Sequence, residues 1–361
     1  MSIPTIQNAL IIEEIGKPLR LVQRPVPTPP PGSVLVKIAS AGINPHDGKG
    51  RDRGLFITPS LPHAIPTQDI SGTVLSLGPN VSESSFTPGD RIFGQTDARA
   101  GPDQGGLQQY AILHSDYAAK IPESLSFDEA ATIPVNAVAS FVALFHESGL
   151  GLSVDLGIGG KDKAGDYADE TILVIGGGSN TGKFGLQFAK LAGFGKVVTT
   201  AGVKDSQKVE GLESLGATHI IDRSVGDEEI ERQIRDIVGD ELIYILDAVN
   251  NGKDQNLGVS VLSNSKKGTL ITLVRGEVDA KVAEKKKAGF RKAQALGISH
   301  MHEEFAKAFW KKYPVWIGEG KLKPLDYVVI EGLDADKVNA VMDEYRDGGA
   351  PRKAHVHPNE L

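Results

Sequence analysis

Not one of the chain's 361 residues is cysteine. That absence excludes disulfide bonds, thiol nucleophiles and any thiolate zinc site, structural or catalytic. No apolar run approaches the roughly 20 residues a membrane helix needs. The opening residues carry no basic stretch followed by a long apolar core, so they do not read as a secretory signal, and a cytoplasmic protein is expected. Basic surplus is missing too: 39 Lys and Arg face 46 Asp and Glu, a formal net charge of -7, which favours neither nucleic acid nor an anionic membrane as partner. What the chain has in quantity is glycine, 42 residues, within a 40% hydrophobic and 24% charged composition. That is the balance of a turn-rich globular protein long enough for two domains with sizeable cores.

The first 126 residues read as mainly β. Short apolar segments at 9–12, 34–38, 72–77, 91–94 and 109–113 are separated by turn signals such as Pro29-Pro30-Pro31-Gly32 and Pro88-Gly89-Asp90. No long helical pattern interrupts them, which predicts a Greek-key or barrel-like β domain. An Ala-rich helix, interrupted near Pro134, is predicted over 127–143. A Gly- and Asp-rich loop follows at 149–169, long for a compact domain and read as a lid or a passive insertion.

From Glu170 strand and helix alternate. Strands are predicted at Thr171–Ile175, 197–200, His219–Asp222, 243–247 and 269–274, and helices at 183–192, 206–215 and 228–238. Such alternation implies a parallel sheet with right-handed crossovers, so the fold class is α/β: a Rossmann doubly wound sheet beside a mainly β domain. The expected division is 1–126, 127–295, and a C-terminal return at 296–361, with helices at 303–316 and 334–346, that completes the first domain.

The most informative stretch is ILVIGGGSNTGKFGLQFAK at 172–190. A buried strand ends in a Gly-rich turn that opens directly into a helix, the context a dinucleotide fingerprint requires. Gly177, Ser179 and Gly182 take its three glycine positions, and Gly178, Ser179, Asn180, Thr181 and Gly182 are the candidate pyrophosphate contacts. The same glycines partly satisfy a P-loop, but Phe184 stands where that motif needs a Mg²⁺-binding hydroxyl. At the end of the next strand, where NAD-dependent enzymes place a carboxylate for the ribose 2′-OH, the chain has Thr199-Thr200-Ala201-Gly202. With no acid at Gly202 and with Lys204, Lys208 and Arg223 nearby, NADPH is favoured over NADH. Each of these cations is equally at home as a solvated surface residue.

These residues also carry a resemblance. The segments VLVKIASAGINPHD at 34–47, DISGTV at 69–74, PGDRIFG at 88–94, GLQQY at 106–110 and Leu215-Gly216-Ala217 resemble the medium-chain dehydrogenase/reductase superfamily over essentially the whole chain. Within it the chain is similar to the zinc-free branch of quinone oxidoreductases and fungal trans-acting enoyl reductases. The resemblance implies a GroES-like catalytic domain around the β segments. Zinc-dependent members place metal ligands where this chain has Asn44, Gln68 and Val135, none an ordinary zinc ligand, so no metal is expected. The pairs His300/His302 and His355/His357 lack an acidic or Cys companion in sequence.

The activity implied is hydride transfer from NADPH to an activated C=C bond (enone, enoyl thioester or quinone). Such chemistry needs positioning, a stabiliser for the enolate oxygen and a proton source. The resemblance places Lys49 near the nicotinamide as the catalytic candidate, although a surface lysine on a loop is an equal reading. It places Asn44, Pro45 and His46 against the nicotinamide or its ribose, and Val249, Asn250 and Leu273 beside that ribose. Asn136 is the candidate substrate contact, with helix capping as its alternative, and Lys353 falls near a position that closes over the cofactor. Asp47 reads as a brace. Two other functions stay open: an NADPH-dependent aldehyde or ketone reductase, and a non-catalytic NADPH-binding partner protein. The expected partner is a small-molecule substrate, with a polyketide synthase carrier domain as the macromolecular candidate and Lys281 to Lys292 as its candidate basic dock. Monomer and homodimer both occur in the family.

Overall fold

The structure is a computed structural model that describes residues 3–156, 167–203, 205–250, 255–349 and 352–359. The chain packs as two units: Met1–Val135 with Ile298–Gly320 and Pro324–Leu361, and Asn136–Gly297 with Lys321–Lys323.

The first unit begins with an antiparallel hairpin, β1 (Ile6–Ile11) and β2 (Arg20–Pro25). Its main sheet contains β3 (Ser33–Gly42), β4 (Asp69–Leu77), β5 (Arg91–Gln95), β6 (Tyr110–His114), β7 (Ala118–Lys120), β14 (Tyr327–Glu331) and β15 (Lys353–His357). The order is β14-β15-β3-β4-β5-β7, with β6 also paired to β3. β3 is central and buried on both faces, which is why its apolar residues run on without strict alternation. Where β3 and β4 slip register, a β-carbon on Gly72 would lie 2.1 Å from Lys37 O, so only glycine fits. Val34, Val36, Ile38, Ile70, Val74, Ile92 and Leu113 form one core of this sheet.

Among the described residues four α-helices belong wholly to this unit: α1 (Pro45–Arg53), α2 (Phe127–Ala131), α9 (Glu303–Gly318) and α10 (Ala335–Arg346). The loop expected around Lys49 is therefore a helix. Its sequence, PHDGKGRDR, has no apolar stripe to announce it; termini make it. Pro45 occupies the first turn, Asp47 accepts the Asn44 N–H at 2.7 Å, and Gly54 ends it in a left-handed conformation at φ 75°. Tertiary bonds then fix it. Buried Arg51 reaches α10, donating to Asn339 Oδ1 at 3.1 Å and to the Asp343 carboxylate, and it pairs with Asp52 beside it. A β-carbon on Gly48 would sit 3.2 Å from Met342 O, so α1 and α10 touch closely.

The second unit carries α3 (Pro134–Phe145) from Asn136 onward, then β8 (Thr171–Ile175), α4 (Asn180–Ala192), β9 (Lys196–Ala201), α5 (Ser206–Ser214), β10 (His219–Asp222), α6 (Asp227–Val238), β11 (Tyr244–Asp247), α7 (Asn256–Ser260), β12 (Gly268–Thr272), α8 (Ala280–Ala283) and β13 (Phe290–Gln294). All its strand pairs are parallel, in the order β10-β9-β8-β11-β12-β13. Renumbered from β8, that is the 3-2-1-4-5-6 order of the dinucleotide fold.

Several expectations change. The helix over 127–143 breaks before Pro134 as expected, but 127–135 pack with the first unit and not the second, because Phe127 O accepts Ser71 Oγ and Val135 N–H reaches Asp69. Within the C-terminal return, 321–323 pack with the second unit, where the Gln187 side chain bonds the Lys323 backbone in both directions. The lysine run near 285 is not a continuous basic face. Lys286 turns inward and donates to Leu262 O at 2.7 Å and to Ser260 O, closing the carbonyl end of α7, and a strand, β13, follows. The ends of the 149–169 loop are held at Leu150 and Leu152, which bond Ala143 O and Leu144 O, and at Tyr167, which stacks on Phe194 and accepts the Ser153 N–H. Residues 157–166 of that loop lie outside the described residues.

Candidate cofactor and catalytic site

The turn after β8 is built by close backbone approaches. Gly176 lies at φ 81° with Val249 packed so tightly on it that a β-carbon would meet Cγ1 at 2.5 Å. Across the turn, a β-carbon on Gly177 would fall 2.1 Å from Thr199 Oγ1, and one on Gly182 would fall 2.1 Å from Gly176 O. Ser179 caps α4: its Oγ accepts the Gly182 N–H at 3.0 Å. Gly178 is exposed, and the first-turn amides at Asn180 and Thr181 have no partner within the helix, which leaves an anion cradle. Thr181 is pinned from α3, donating to Asn136 Oδ1 at 3.0 Å while its carbonyl accepts Ser140 Oγ at 2.7 Å. Asn136 is thus a support of the cradle through the oxygen that accepts from Thr181. Phe184, the residue that breaks the P-loop pattern, is a fully buried core side chain.

The threonines in place of an acid at the tip of β9 have work of their own. Thr199 Oγ1 accepts the Gly177 N–H at 3.1 Å and donates to Val174 O at 2.7 Å, and Thr200 Oγ1 accepts the Gly176 N–H. Arg223 Nε lies 3.6 Å from where a β-carbon of Gly202 would stand, so the guanidinium does reach the strand tip. The neighbouring Asp222 carboxylate is turned onto the Ser224 and Val203 amides, which hold it below the usual carboxylate range. Lys208 is exposed on α5, and Lys204 lies outside the described residues.

Two residues that sequence reasoning missed order the far side of this sheet. Buried Asp247 ends β11, and its Oδ1 accepts the amides of Val249 and Asn250 at 3.2 and 2.9 Å, while its backbone O accepts Leu273 N–H. Gln255, fully buried, donates from Nε2 to Asn250 O at 3.0 Å and Val274 O at 2.9 Å, stapling the segments after β11 and β12. Polar residues just past strand ends were the available signal.

In the first unit, Asn44 precedes α1 and is 1% exposed; its Nδ2 donates to Asp69 Oδ2 at 2.7 Å. Lys353, fully buried, donates from Nζ to Asn44 Oδ1 at 2.8 Å and pairs with Asp69, whose other oxygen accepts the Val135 N–H at 2.6 Å. Lys353 is therefore bound inside this unit. Asn44, Gln68 and Val135 offer two amides and an aliphatic chain, and the first amide oxygen already holds an ammonium, so they do not make a zinc donor set. Pro45 and Lys49 are exposed on α1. Asp47, buried, accepts N–H bonds from Asn44 and from Thr67; Thr67 is held at φ 68°, a strained conformation for a β-branched residue. Burial pushes the Asp47 carboxyl up, against the opposing pull of His46.

His355 and His357 find their acidic companion in Asp128, distant in sequence. Asp128 Oδ1 accepts Ser40 Oγ at 2.6 Å and lies 2.9 Å from His357 Nε2 and 3.4 Å from His355 Nδ1. Burial opposes it, but these three partners bring Asp128 down to about 2. Among the described residues no group of three His, Asp or Glu is arranged to hold a metal ion. His300 packs against Tyr117 and His114 with both ring nitrogens buried and unpartnered. Burial pushes it down to about 4, assisted by His114 and Arg99 and opposed by Asp97. The unfolded ring titrates near 6.5, so below that pH the unfolded state binds the extra proton. Stability is then full above pH 6.5 and falls as the pH drops towards 4, by up to about 3 kcal/mol. Urea midpoints of wild type and His300→Phe between pH 7 and 4 should show a shallower decline in the variant; parallel curves would refute this.

A parallel sheet whose first strand runs through a glycine turn into a helix, joined to a β unit, defines a two-unit dehydrogenase fold. Residues 30–123 match the alcohol dehydrogenase GroES-like domain family, and residues 181–311 match the family described as zinc-binding dehydrogenase. A trans-enoyl reductase of Aspergillus terreus is 31% identical over 242 residues, 66% of this chain and 75% of that protein. One from Penicillium crustosum is 32% identical over 251 residues; the match spans 68% of this chain but only 64% of the relative's length. A mycobacterial protein solved in complex with NADPH has the same fold, with a TM-score of 0.74 at 20% identity over 97% of this chain and all of that one. The chain belongs to the medium-chain dehydrogenase/reductase superfamily, alongside the fungal trans-enoyl reductases.

Proposed function

We propose that this protein is a zinc-independent, NADPH-dependent reductase of activated C=C bonds. The observation that carries the cofactor half is the glycine turn at 176–182, closed by backbone approaches that only glycine allows and opening into α4, whose first-turn amides have no partner within the helix. The Arg223 guanidinium beside Gly202, in place of a carboxylate, supports the 2′-phosphate and hence NADPH. When bound, that coenzyme supplies a hydride. The chain's own share is to bind and orient it through Gly178 to Gly182 and the segment held by Asp247 and Gln255, and to meet the charge that develops on the acceptor. Lys49, an exposed cation on a braced helix, is proposed to stabilise the enolate oxygen. The trans-enoyl reductase relatives support an enoyl group as acceptor; an enoyl thioester on a carrier domain of a polyketide synthase is proposed as the form in which it arrives. A cytoplasmic location is proposed on the same kinship; among the described residues no helix is long and apolar enough to cross a membrane.

Fluorescence titration with NADPH and NADH tests the coenzyme. Wild type is expected to bind NADPH more tightly, and Arg223→Ala to lose about tenfold for NADPH (roughly 1.4 kcal/mol) with NADH affinity unchanged. Enone-dependent NADPH oxidation then tests the reaction. Equal affinities overturn the NADPH assignment, and binding without consumption of any enone, quinone or enoyl thioester overturns the reductase reading.

A further inference from the structure

We infer that, independently of the function proposed above, the edge of β14 is a self-association surface. A second copy of this chain adds its own β14 there, antiparallel, to make a symmetric dimer. β14 ends the main sheet of the first unit, and among the described residues β15 is its one strand partner. The opposite end of that sheet is blunted: β7 has three residues and α9 packs against it. β14 is longer and more open. Its five residues, Tyr327-Val328-Val329-Ile330-Glu331, have an apolar centre and no proline, with Val329 38% exposed and the Glu331 side chain 78% exposed.

The ladder settles which backbone groups are available. Gly332 N–H donates to His357 O, towards β15. Backbone direction alternates along a strand, so Val328 and Ile330 also face β15, while Tyr327, Val329 and Glu331 turn their N–H and C=O groups outward. Antiparallel pairing centred on Val329 sets each outward residue opposite another: Tyr327 opposite Glu331, and Val329 opposite Val329. Residues so placed exchange both bonds, about six across the whole edge. Shifting the centre to Val328 or Ile330 puts Glu331 or Tyr327 opposite residues outside β14.

Charge selects a second copy as the occupant. Arg352 shares a surface depression with Glu129, Asp326 and Tyr327 at one end of the strand, and Lys37 shares one with Glu331 and Gly332 at the other. Among the described residues neither cation has an ion pair within the chain. In this register the second copy's Glu331 arrives at Tyr327, beside Arg352. Its Asp326 arrives at Gly332, beside Lys37. The two-fold axis repeats both contacts, so each acid on the edge gains a cation. One short strand pair with exposed ion pairs makes a weak dimer, with a Kd of about 10–100 µM.

Sedimentation equilibrium of the full chain, loaded up to about 500 µM at low salt, tests this. Wild type is expected to show a reversible monomer–dimer equilibrium that weakens in high salt. Val329→Pro removes an outward N–H and takes no bond from β15, so it should keep its circular dichroism spectrum and melting curve yet stay monomeric. Glu331→Arg should raise the dimer Kd at least about tenfold, and adding Arg352→Glu should bring it back to within about threefold of wild type. Should Val329→Pro fail to fold, the charge swap still decides, because restoration by a second reversal cannot come from unfolding. A wild type that is monomeric throughout overturns the inference. A dimer that survives Val329→Pro, or whose Kd ignores the charge swap, forms elsewhere on the molecule and overturns it equally.

Discussion

Replacing Lys353 with methionine is expected to lower the stability of the protein by about 3–5 kcal/mol. The expectation follows from burial and pairing together. Lys353 and Asp69 are both fully inaccessible, and the ammonium also holds Asn44 Oδ1. Methionine matches the stem, so little packing is lost, but an unpaired carboxylate is left in the interior beside β3. The Asp69 carboxylate cannot simply turn away, because its other oxygen binds the Val135 amide. Adding Asp69→Asn to Lys353→Met removes the stranded charge while keeping an acceptor for that amide. The double variant should therefore recover a substantial part of the loss, a coupling that a double-mutant cycle in urea measures directly. A single variant that loses under 1 kcal/mol would show that water reaches the pair and that the interior cation is dispensable.

Gly182→Ala is expected to raise the NADPH dissociation constant at least about 100-fold, roughly 2.7 kcal/mol. The new methyl carbon would stand 2.1 Å from Gly176 O and 2.8 Å from Gly177 Cα, and both obstacles are backbone. Neither yields cheaply. Gly176 is locked at φ 81° under Val249, and Gly177 is bonded to Thr199. Relief comes only by tilting the start of α4 away from β8, which displaces the amides of Asn180 and Thr181 that form the anion cradle. Gly211→Ala, on an exposed helix with nothing within 4 Å of the new carbon, serves as the control and should leave binding unchanged. Fluorescence titration decides it: affinity within threefold of wild type in Gly182→Ala would mean the turn has slack that its close contacts deny.

How much of this was legible in the sequence depends on chain distance. The turn from β8 into α4 was readable because strand, glycines and helix are contiguous, and the bonds that close the turn itself come from Ser179 within it and from Thr199 and Thr200 on the neighbouring strand. The parallel sheet followed from the same local alternation. The helix α1 has no apolar period to announce it; Asn44, Pro45, Asp47 and Gly54 spell its two ends, and its information lies in that capping. The threonines at the tip of β9 were read only for the acid they replace, not for the turn they hold. The Asn44–Asp69–Lys353 network could not be read at all: Lys353 is 309 residues from Asn44, and neighbours in sequence gave no hint that it would be buried. The same holds for Asp128 with His355 and His357, where the carboxylate that sequence inspection found missing comes from α2.

The position of β15 between β14 and β3 has a consequence for how the chain is made. Translation completes 136–297, the whole dinucleotide sheet, before the last strand of the first unit exists. Until Lys353 emerges, Asp69 has no cation and β3 is unpaired beside Ala41 and Gly42, so the nascent first unit is a sheet with a gap and a stranded charge. Vectorial synthesis therefore favours the second unit folding first.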